Sequence, residues 1–144
     1  KKGFTKNICP ACLKNRLHFD RAFAPCIYDG VIKDLIHEFK YKNKEHLGLP
    51  LSEIMSGFIK EYSLPIDYLD LIIPIPLHKV RMREREFNQA QVLSGHLALE
   101  FNKPLLKDTL RRLRHTKTQT ELNLNQRWLN VKGKVKIYSW LMMC

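Results

Sequence analysis

The stretch of residues 70–91 constrains the fold more than any other part of the chain. Residues 69–75 form a run of Leu and Ile broken by Asp70 and Pro74, which predicts a central parallel strand covered on both faces. A basic segment, residues 81–85, follows, and then a helix begins. A strand, a cationic segment and a helix N-terminus in this order suit a phosphate-bearing ligand at the carboxyl edge of an α/β sheet.

The surrounding pattern predicts helices and short extended segments in alternation. Apolar residues at helical spacing predict one helix from residue 31 to about residue 42 and a second over residues 51–62. Asn88 is a favourable N-cap for a third helix, with Gln91 in the capping-box position. Further along, we expect an extended segment at residues 104–106, a loop at 111–120, a helix at 121–129 and a strand at 131–140. This order favours an α/β fold.

The charge balance indicates anionic partners. Lys and Arg number 25 against 14 Asp and Glu, which gives a formal net charge of +11. Phosphates, nucleotides and nucleic acid are the partners that such a balance favours. The alternative is a solvated basic surface with no dedicated partner. Clustering of arginines within residues 81–85 and 111–114 favours a site over a diffuse surface.

The arginines of the 81–85 segment converge in either of two conformations. In an extended segment, Arg81, Arg83 and Arg85 share one side, whereas in a helix Arg81 and Arg85 share one face. In both cases, at least two guanidinium groups meet near the N-terminus of the helix that begins at Asn88. Guanidinium forks bind phosphate oxygens bidentately, and unpaired helix N–H groups add further donors.

Two alternatives remain open for this segment. The arginines would instead form ion pairs with Glu84 and Glu86. His78 lies at the start of the same segment, where it would contact a phosphate or remain an exposed polar residue.

The cysteines do not resemble a disulfide framework, since the chain shows no secretion signal. Cys9 and Cys12 have the spacing that lets both ligate one tetrahedral metal, for which a structural zinc site needs four ligands. His18 and Cys26 lie near enough in sequence to contribute. Cys26 also suits a packed core thiol among apolar neighbours, and a redox role for the Cys9 and Cys12 pair is a third reading. No apolar run is long enough for a membrane helix, so we expect a cytoplasmic protein.

Three parts of the sequence resemble one known family. Residues 73–90 read IPIPLHKVRMREREFNQA, residues 110–122 read LRRLRHTKTQTEL, and residues 127–131 read RWLNV. They resemble the ComF-like competence proteins, members of the type I phosphoribosyltransferase superfamily that are often preceded by a double zinc ribbon. The resemblance extends over about residues 9 to 133.

The resemblance implies a domain organisation and a set of roles. Residues 1–28 would be the remnant of a zinc ribbon, with Cys9 and Cys12 as half of a zinc site. Residues 29–144 would be an incomplete, Rossmann-like phosphoribosyltransferase domain that binds phosphoribosyl pyrophosphate or a similar nucleotide-like molecule. The pyrophosphate-binding residues would be His78, Arg81, Arg83, Arg85, Asn88 and Gln89. The flexible segment that closes over the site would include Arg112, Arg114, Gln119, Arg127 and Asn130.

The sequence departs from the family pattern at two places. Glu86 stands where the family usually has Gly, and its carboxylate would neutralise Arg85. The family also continues into a strand with two adjacent acids and a small-residue loop, which hold the ribose phosphate and magnesium. Residues 132–144 read KGKVKIYSWLMMC instead. We therefore expect a chain truncated at both ends, without the magnesium-linked acids and catalytically incomplete.

Two further functions compete with phosphoribosyl binding. The chain would act as a non-enzymatic accessory factor for DNA uptake, binding single-stranded DNA through its basic loops. Stacking on bases would then fall to Phe87 and Trp128, although each also fits a helix core. The last alternative is a decayed fragment with no ligand.

Overall fold

The structure, a computed structural model, describes residues 19–116 and 122–138. Within these ranges the chain is a mixed assembly of helices with one small sheet, compatible with an α/β fold. The helices are α1 (Gly30–Tyr41), α2 (Gly48–Glu61), α3 (Lys79–Arg85), α4 (Gln89–Glu100) and α5 (Leu124–Val131). The strands are β1 (Leu110–Arg112) and β2 (Val135–Ile137), and short 3₁₀ turns lie at Glu45–Leu47 and Ile66–Tyr68.

The first two helices lie close to their predicted positions. The Asp29 side chain caps α1 by accepting a hydrogen bond of 2.8 Å from the Gly30 N–H. Helix α2 begins at Gly48, three residues before the predicted start at residue 51. Gly48 is buried against Val92 of α4, and a β-carbon at this position would overlap the Val92 side chain. The absence of a side chain therefore lets α2 and α4 pack closely.

A small apolar core joins α1, α2 and the start of α4. Phe39, Leu51 and Phe87 are buried at its centre. The Phe39 and Phe87 rings lie with centroids 5.3 Å apart and planes inclined by 45°, a favourable tilted aromatic contact. Around them pack Leu35, Ile36, Leu47, Val92 and Leu93. This core holds Phe87, the residue just before Asn88, in place, and so it determines where α4 begins.

The segment predicted as a central strand is extended but less buried than expected. Ile72 forms a parallel bridge with Leu105: its N–H donates to the Pro104 carbonyl at 2.8 Å, and its carbonyl accepts from the Leu106 N–H at 3.0 Å. The parallel direction and the extended segment at 104–106 are confirmed. Coverage on both faces is wrong for the ends of the segment, since Leu69 is 48% exposed and Ile75 is 60% exposed. Within the described ranges, this segment pairs with one neighbour.

The small sheet differs from the predicted arrangement of the C-terminal region. β1 and β2 pair antiparallel, with Leu110 opposite Ile137 and Arg112 opposite Val135. The predicted loop at 111–120 therefore starts inside a strand. The predicted strand at 131–140 is shorter because α5 continues to Val131 and a turn with Gly133 at φ 64° precedes β2. Pairing of β1 with β2 brings residues about 25 positions apart next to each other.

Candidate functional site: a basic cleft

The segment after the extended chain is helical, which decides between the two conformations left open by the sequence. Helix α3 begins after His78, whose Nδ1 accepts a hydrogen bond of 3.3 Å from the Val80 N–H. The His78 ring lies 5.5 Å, centroid to centroid, from the ring of His115. His78 is therefore a helix cap, and it also connects α3 with the segment that follows β1.

The end of α3 shows how Glu86 fits at a position where the resemblance led us to expect Gly. Glu86 has φ 63° and its N–H donates to the Met82 carbonyl, so it closes the helix in the left-handed conformation. Its carboxylate accepts a hydrogen bond from the Asn43 side chain. The carboxylate thus has a different partner from the one expected, which was Arg85.

Asn88 anchors the start of α4 to the end of the extended segment. Its Oδ1 accepts from the Ala90 N–H at 3.1 Å, and its Nδ2 donates to the Ile75 carbonyl at 3.1 Å. The predicted N-cap is confirmed. Because the side chain is 9% exposed, both hydrogen bonds are shielded from water, and together they hold the helix N-terminus beside the extended segment.

An open cleft of about 1000 Å³ lies between α3, the start of α4 and the β1–β2 sheet. Its lining contains five Lys or Arg residues and one carboxylate, so its charge is strongly positive. The cations are Lys79, Arg83, Lys107, Arg111 and Arg112, and the carboxylate is Asp108. His78, Asn88, Gln91 and Tyr138 also line it. The cleft therefore joins the predicted pyrophosphate segment to the start of the predicted flexible segment.

Arg112 is the cation of the cleft whose environment is least favourable. Burial lowers the pKa of its guanidinium, and the nearby positive charge of Arg81 lowers it further. Its Nε is buried and has no hydrogen-bond partner among the described residues. A partly buried cation near a like charge is in an unfavourable environment unless an anion compensates it. An anion in the cleft would supply this compensation.

Curated proteins with sequences similar to this chain are competence and DNA-utilization proteins. Competence protein F of Haemophilus influenzae is 29% identical over 127 residues, which are 87% of this chain and 56% of that protein. Competence protein ComFC of Bacillus subtilis is 33% identical over 126 residues, which are 74% of this chain and 51% of that protein. This chain belongs to the ComF-like competence protein family.

Other comparisons define the extent of this relationship. DNA utilization protein YhgH of Salmonella typhimurium is 24% identical over 131 residues, which are 90% of this chain and 58% of that protein. This ComF-like chain therefore spans just over half the length of the curated relatives it matches. No model of a protein family matches the chain. No solved structure is significantly similar to it.

The predicted pyrophosphate residues of this ComF-like chain divide between two places. His78, Arg83 and Asn88 line the cleft. Arg81 forms an ion pair of 2.9 Å with Glu84, as the alternative reading expected, and it also lies near Arg112.

Arg85 and Gln89 do not line the cleft. The Arg85 guanidinium lies over the Tyr41 ring, 4.8 Å from its centroid, and its Nη1 donates to the Gln89 Oε1 at 3.2 Å. Because α3 is helical, residues 83 and 85 point about 200° apart around its axis, and the two arginines face different surroundings.

The predicted flexible segment contributes one of its named residues to the cleft, Arg112. Arg114 is exposed after β1. The Arg127 Nε donates to the Leu122 carbonyl at 2.9 Å, near the start of α5, and Asn130 lies near its end. Gln119, Cys9 and Cys12 fall outside the described residues, so their predicted roles stay predictions.

Sequence reasoning placed Arg111 in a basic cluster without giving it a role of its own, and it overlooked Tyr138 and the cleft cations Lys79 and Lys107. The Arg111 guanidinium lies 5.0 Å from the centroid of the Tyr138 ring, within the range of a cation–π contact. The alternation of residues 131–140 predicted a strand, but the sequence does not reveal which strand it pairs with. Of the aromatic candidates that were predicted, Phe87 is buried in the core and is unable to stack on a base. The side chain of Trp128 lies outside the described part.

In the described part of the chain, no helix is long and apolar enough to cross a membrane.

Proposed function

We propose that the basic cleft binds a phosphorylated ribose, such as phosphoribosyl pyrophosphate or a nucleotide, as the phosphoribosyltransferase-like domain of a ComF-like protein. The observation that carries the proposal is Arg112, half-buried beside Arg81 with an unpartnered Nε. A phosphate group would accept from this guanidinium and would offset the repulsion between the two arginines.

The other cleft residues support a ligand with more than one anionic group. Lys79 and Arg83 line the side formed by α3, whereas Arg111 and Arg112 line the side formed by β1. A ligand with phosphates at two positions would contact both sides. Asn88 is fixed by its two hydrogen bonds and keeps the α4 N-terminus at the cleft, where helix N–H groups favour anions.

Zinc and magnesium differ in whether this chain has residues suited to hold them. Zinc would be held by Cys9 and Cys12, where thiolates at this spacing supply two of the four ligands of a structural site. Magnesium prefers carboxylate, phosphate and water oxygens. The described lining of the cleft contains one carboxylate, Asp108, among five cations. These residues do not resemble a magnesium site.

Calorimetric titration of the full chain tests the proposal. Phosphoribosyl pyrophosphate and ribose 5-phosphate should bind, whereas ribose should not. Arg112→Gln should weaken phosphoribosyl pyrophosphate binding by about tenfold or more, the effect expected from loss of a charged hydrogen-bond donor. Lys33→Gln removes an exposed charge from α1 and serves as the matched control. Equal weakening by both variants would refute a specific cleft site.

Single-stranded DNA is a second candidate ligand, which the contact between Arg111 and Tyr138 favours. An exposed aromatic ring with a cation over it, within a basic cleft, provides the stacking surface that single-stranded nucleic acid uses. A fluorescent oligothymidine should then bind with a steep salt dependence. The logarithm of its binding constant should fall with the logarithm of the salt concentration with a slope of about −0.7 for each phosphate contacted. Tyr138→Ala should weaken the binding, whereas Tyr68→Ala, which removes an exposed ring elsewhere, should not. A shallow slope would favour the small phosphate ligand.

A further inference from the structure

A second concave site lies on a different side of α4 from the basic cleft. It is a cavity of about 280 Å³ formed by α1, α2 and α4 and by the segment that precedes α1. Its walls are mainly apolar and include Ile36, Met55 and Leu93. The lining also contains an amide and an ammonium group, those of Gln89 and Lys40. The proposed function uses neither the cavity nor these two side chains.

Gln89, one of the residues that line the cavity, has an unpartnered donor. The residue is 7% exposed, and its Nε2 is buried with no hydrogen-bond partner among the described residues. Its Oε1 accepts from the Arg85 Nη1 at 3.2 Å. This contact fixes the orientation of the amide, because the reversed orientation would place two donors against each other. The Nε2 therefore lies on the side of the amide away from Arg85 and needs an acceptor.

The charge at the cavity indicates what kind of acceptor fits. Lys40 lines the cavity, and the pKa of its ammonium group is lowered first by burial and then by the positive charge of Arg85. Arg85 has a buried Nε that also lacks a partner in the described part of the chain. One poorly solvated ammonium in the lining, a second positive charge near it and one unpartnered amide favour an anionic oxygen over a neutral carbonyl.

We propose that this cavity binds a small apolar molecule that carries one carboxylate, with the carboxylate accepting from Gln89 and compensating Lys40. An apolar protein cavity of about 150 Å³ holds a benzene molecule. The volume here therefore has room for one aromatic ring or a branched alkyl group with a short chain. The free thiol of Cys26 lies in the cavity wall, so it reports on whether the cavity is occupied.

The probe for the test is 3-phenylpropionate, and 3-phenylpropanol is its neutral counterpart. The full chain is treated with iodoacetamide at increasing probe concentrations, and alkylation of the peptide that contains Cys26 is followed by mass spectrometry. The carboxylate should protect Cys26 with a dissociation constant about tenfold lower than that of the alcohol. Inorganic phosphate, which the basic cleft would bind, should give no protection. This difference separates the cavity from the proposed function.

Two variants and a control identify the residues responsible. Gln89→Glu keeps the acceptor for Arg85 but replaces the free donor with an anion, so protection by 3-phenylpropionate should be lost. Gln91→Glu is the matched control on the same helix, because Gln91 lines the basic cleft and not the cavity, and it should keep the protection. Leu93→Phe fills the cavity while leaving Gln89 in place, and it provides the same test if Gln89→Glu does not fold.

Three results would overturn the proposal. Equal protection by the carboxylate and the alcohol would show that no anion site exists. Protection that persists in both Gln89→Glu and Leu93→Phe would place the probe elsewhere. Absence of protection by 3-phenylpropionate at millimolar concentration would show that the cavity does not accept this class of ligand.

Discussion

Arg112 lies close enough to Arg81 for the charge of Arg81 to add to burial in lowering the pKa of the Arg112 guanidinium. The two residues come from distant parts of the sequence, α3 and β1. A ligand-free protein gains no stability from this proximity, because both desolvation and repulsion oppose the charged form. An arrangement that costs stability and sits in a basic cleft is typical of a binding site.

Substituting Arg112 should separate stability from binding. Arg112→Gln removes a poorly solvated charge, so the melting temperature without ligand should stay unchanged or rise by up to about 3 °C. The increase in melting temperature on addition of phosphoribosyl pyrophosphate should be lost. Differential scanning calorimetry with and without the ligand measures both quantities.

Lys33→Gln is the control for this prediction, since Lys33 is exposed on α1 and does not line the cleft. It should keep the ligand-induced shift and leave the ligand-free melting temperature unaffected. A clear loss of stability in Arg112→Gln would instead mean that Arg112 supports the fold.

The sequence predicts helices α1 and α4 well, because local signals determine both. Asn88 has a side chain suited to an N-cap, and the apolar spacing of residues 31–39 repeats at the helical period. Both helices lie where these signals predict. The extended segment at residues 69–75 and its parallel partner at 104–106 follow from composition and from the helix between them.

The composition of the site depends on contacts that the sequence does not reveal. Because the 81–85 segment is helical and not extended, Arg83 faces the cleft and Arg85 faces Tyr41. Both conformations were compatible with the sequence. Pairing of β1 with β2 brings Tyr138 next to Arg111, and no local pattern specifies that register. The contact between Arg111 and Tyr138 therefore depends on long-range pairing, and sequence reasoning missed it.

Asn88 should contribute to stability through two separable hydrogen bonds. Asn88→Ala removes both the cap on Ala90 and the bond to Ile75, and it should lower the free energy of unfolding by about 2–3 kcal/mol. Asn88→Asp keeps an acceptor for the cap and loses only the donor, so it should lower this free energy by about half as much. Urea unfolding followed by circular dichroism gives both values. Equal losses in the two variants would assign the whole effect to the bond with Ile75.

Gly48 should be needed for the close packing of α2 on α4. Gly48→Ala places a methyl group against Val92, and it should lower the free energy of unfolding by about 1–3 kcal/mol. The double variant with Val92→Ala should recover part of this loss, because the smaller side chain makes room. Gly57→Ala is the control, since no atom lies within 4 Å of its added β-carbon. A double-mutant cycle without coupling would contradict the packing argument.

Glu38 should make stability depend on pH under acidic conditions. Hydrogen bonds from Lys42 and Lys44 lower the pKa of its carboxyl from 4.5 to about 2. The folded-state pKa is the lower one, so the contribution is complete above about pH 4.5 and disappears as the pH falls toward 2. The free energies of unfolding of the wild type and of Glu38→Gln should therefore differ at pH 6 and become nearly equal near pH 2. The difference should also shrink with salt, since these groups are near the surface.

Substitutions of Glu86 should show whether its position favours glycine, as the family resemblance suggests. With φ 63°, a side chain at this position is strained, and Gly should be more favourable than Ala there by about 1 kcal/mol. Both substitutions remove the hydrogen bond to Asn43, so comparing Glu86→Gly with Glu86→Ala isolates the backbone effect. At Lys33, an exposed position inside α1, the order should reverse by about 1 kcal/mol because Gly weakens a helix. The same order at both positions would mean that the left-handed turn after α3 does not form in solution.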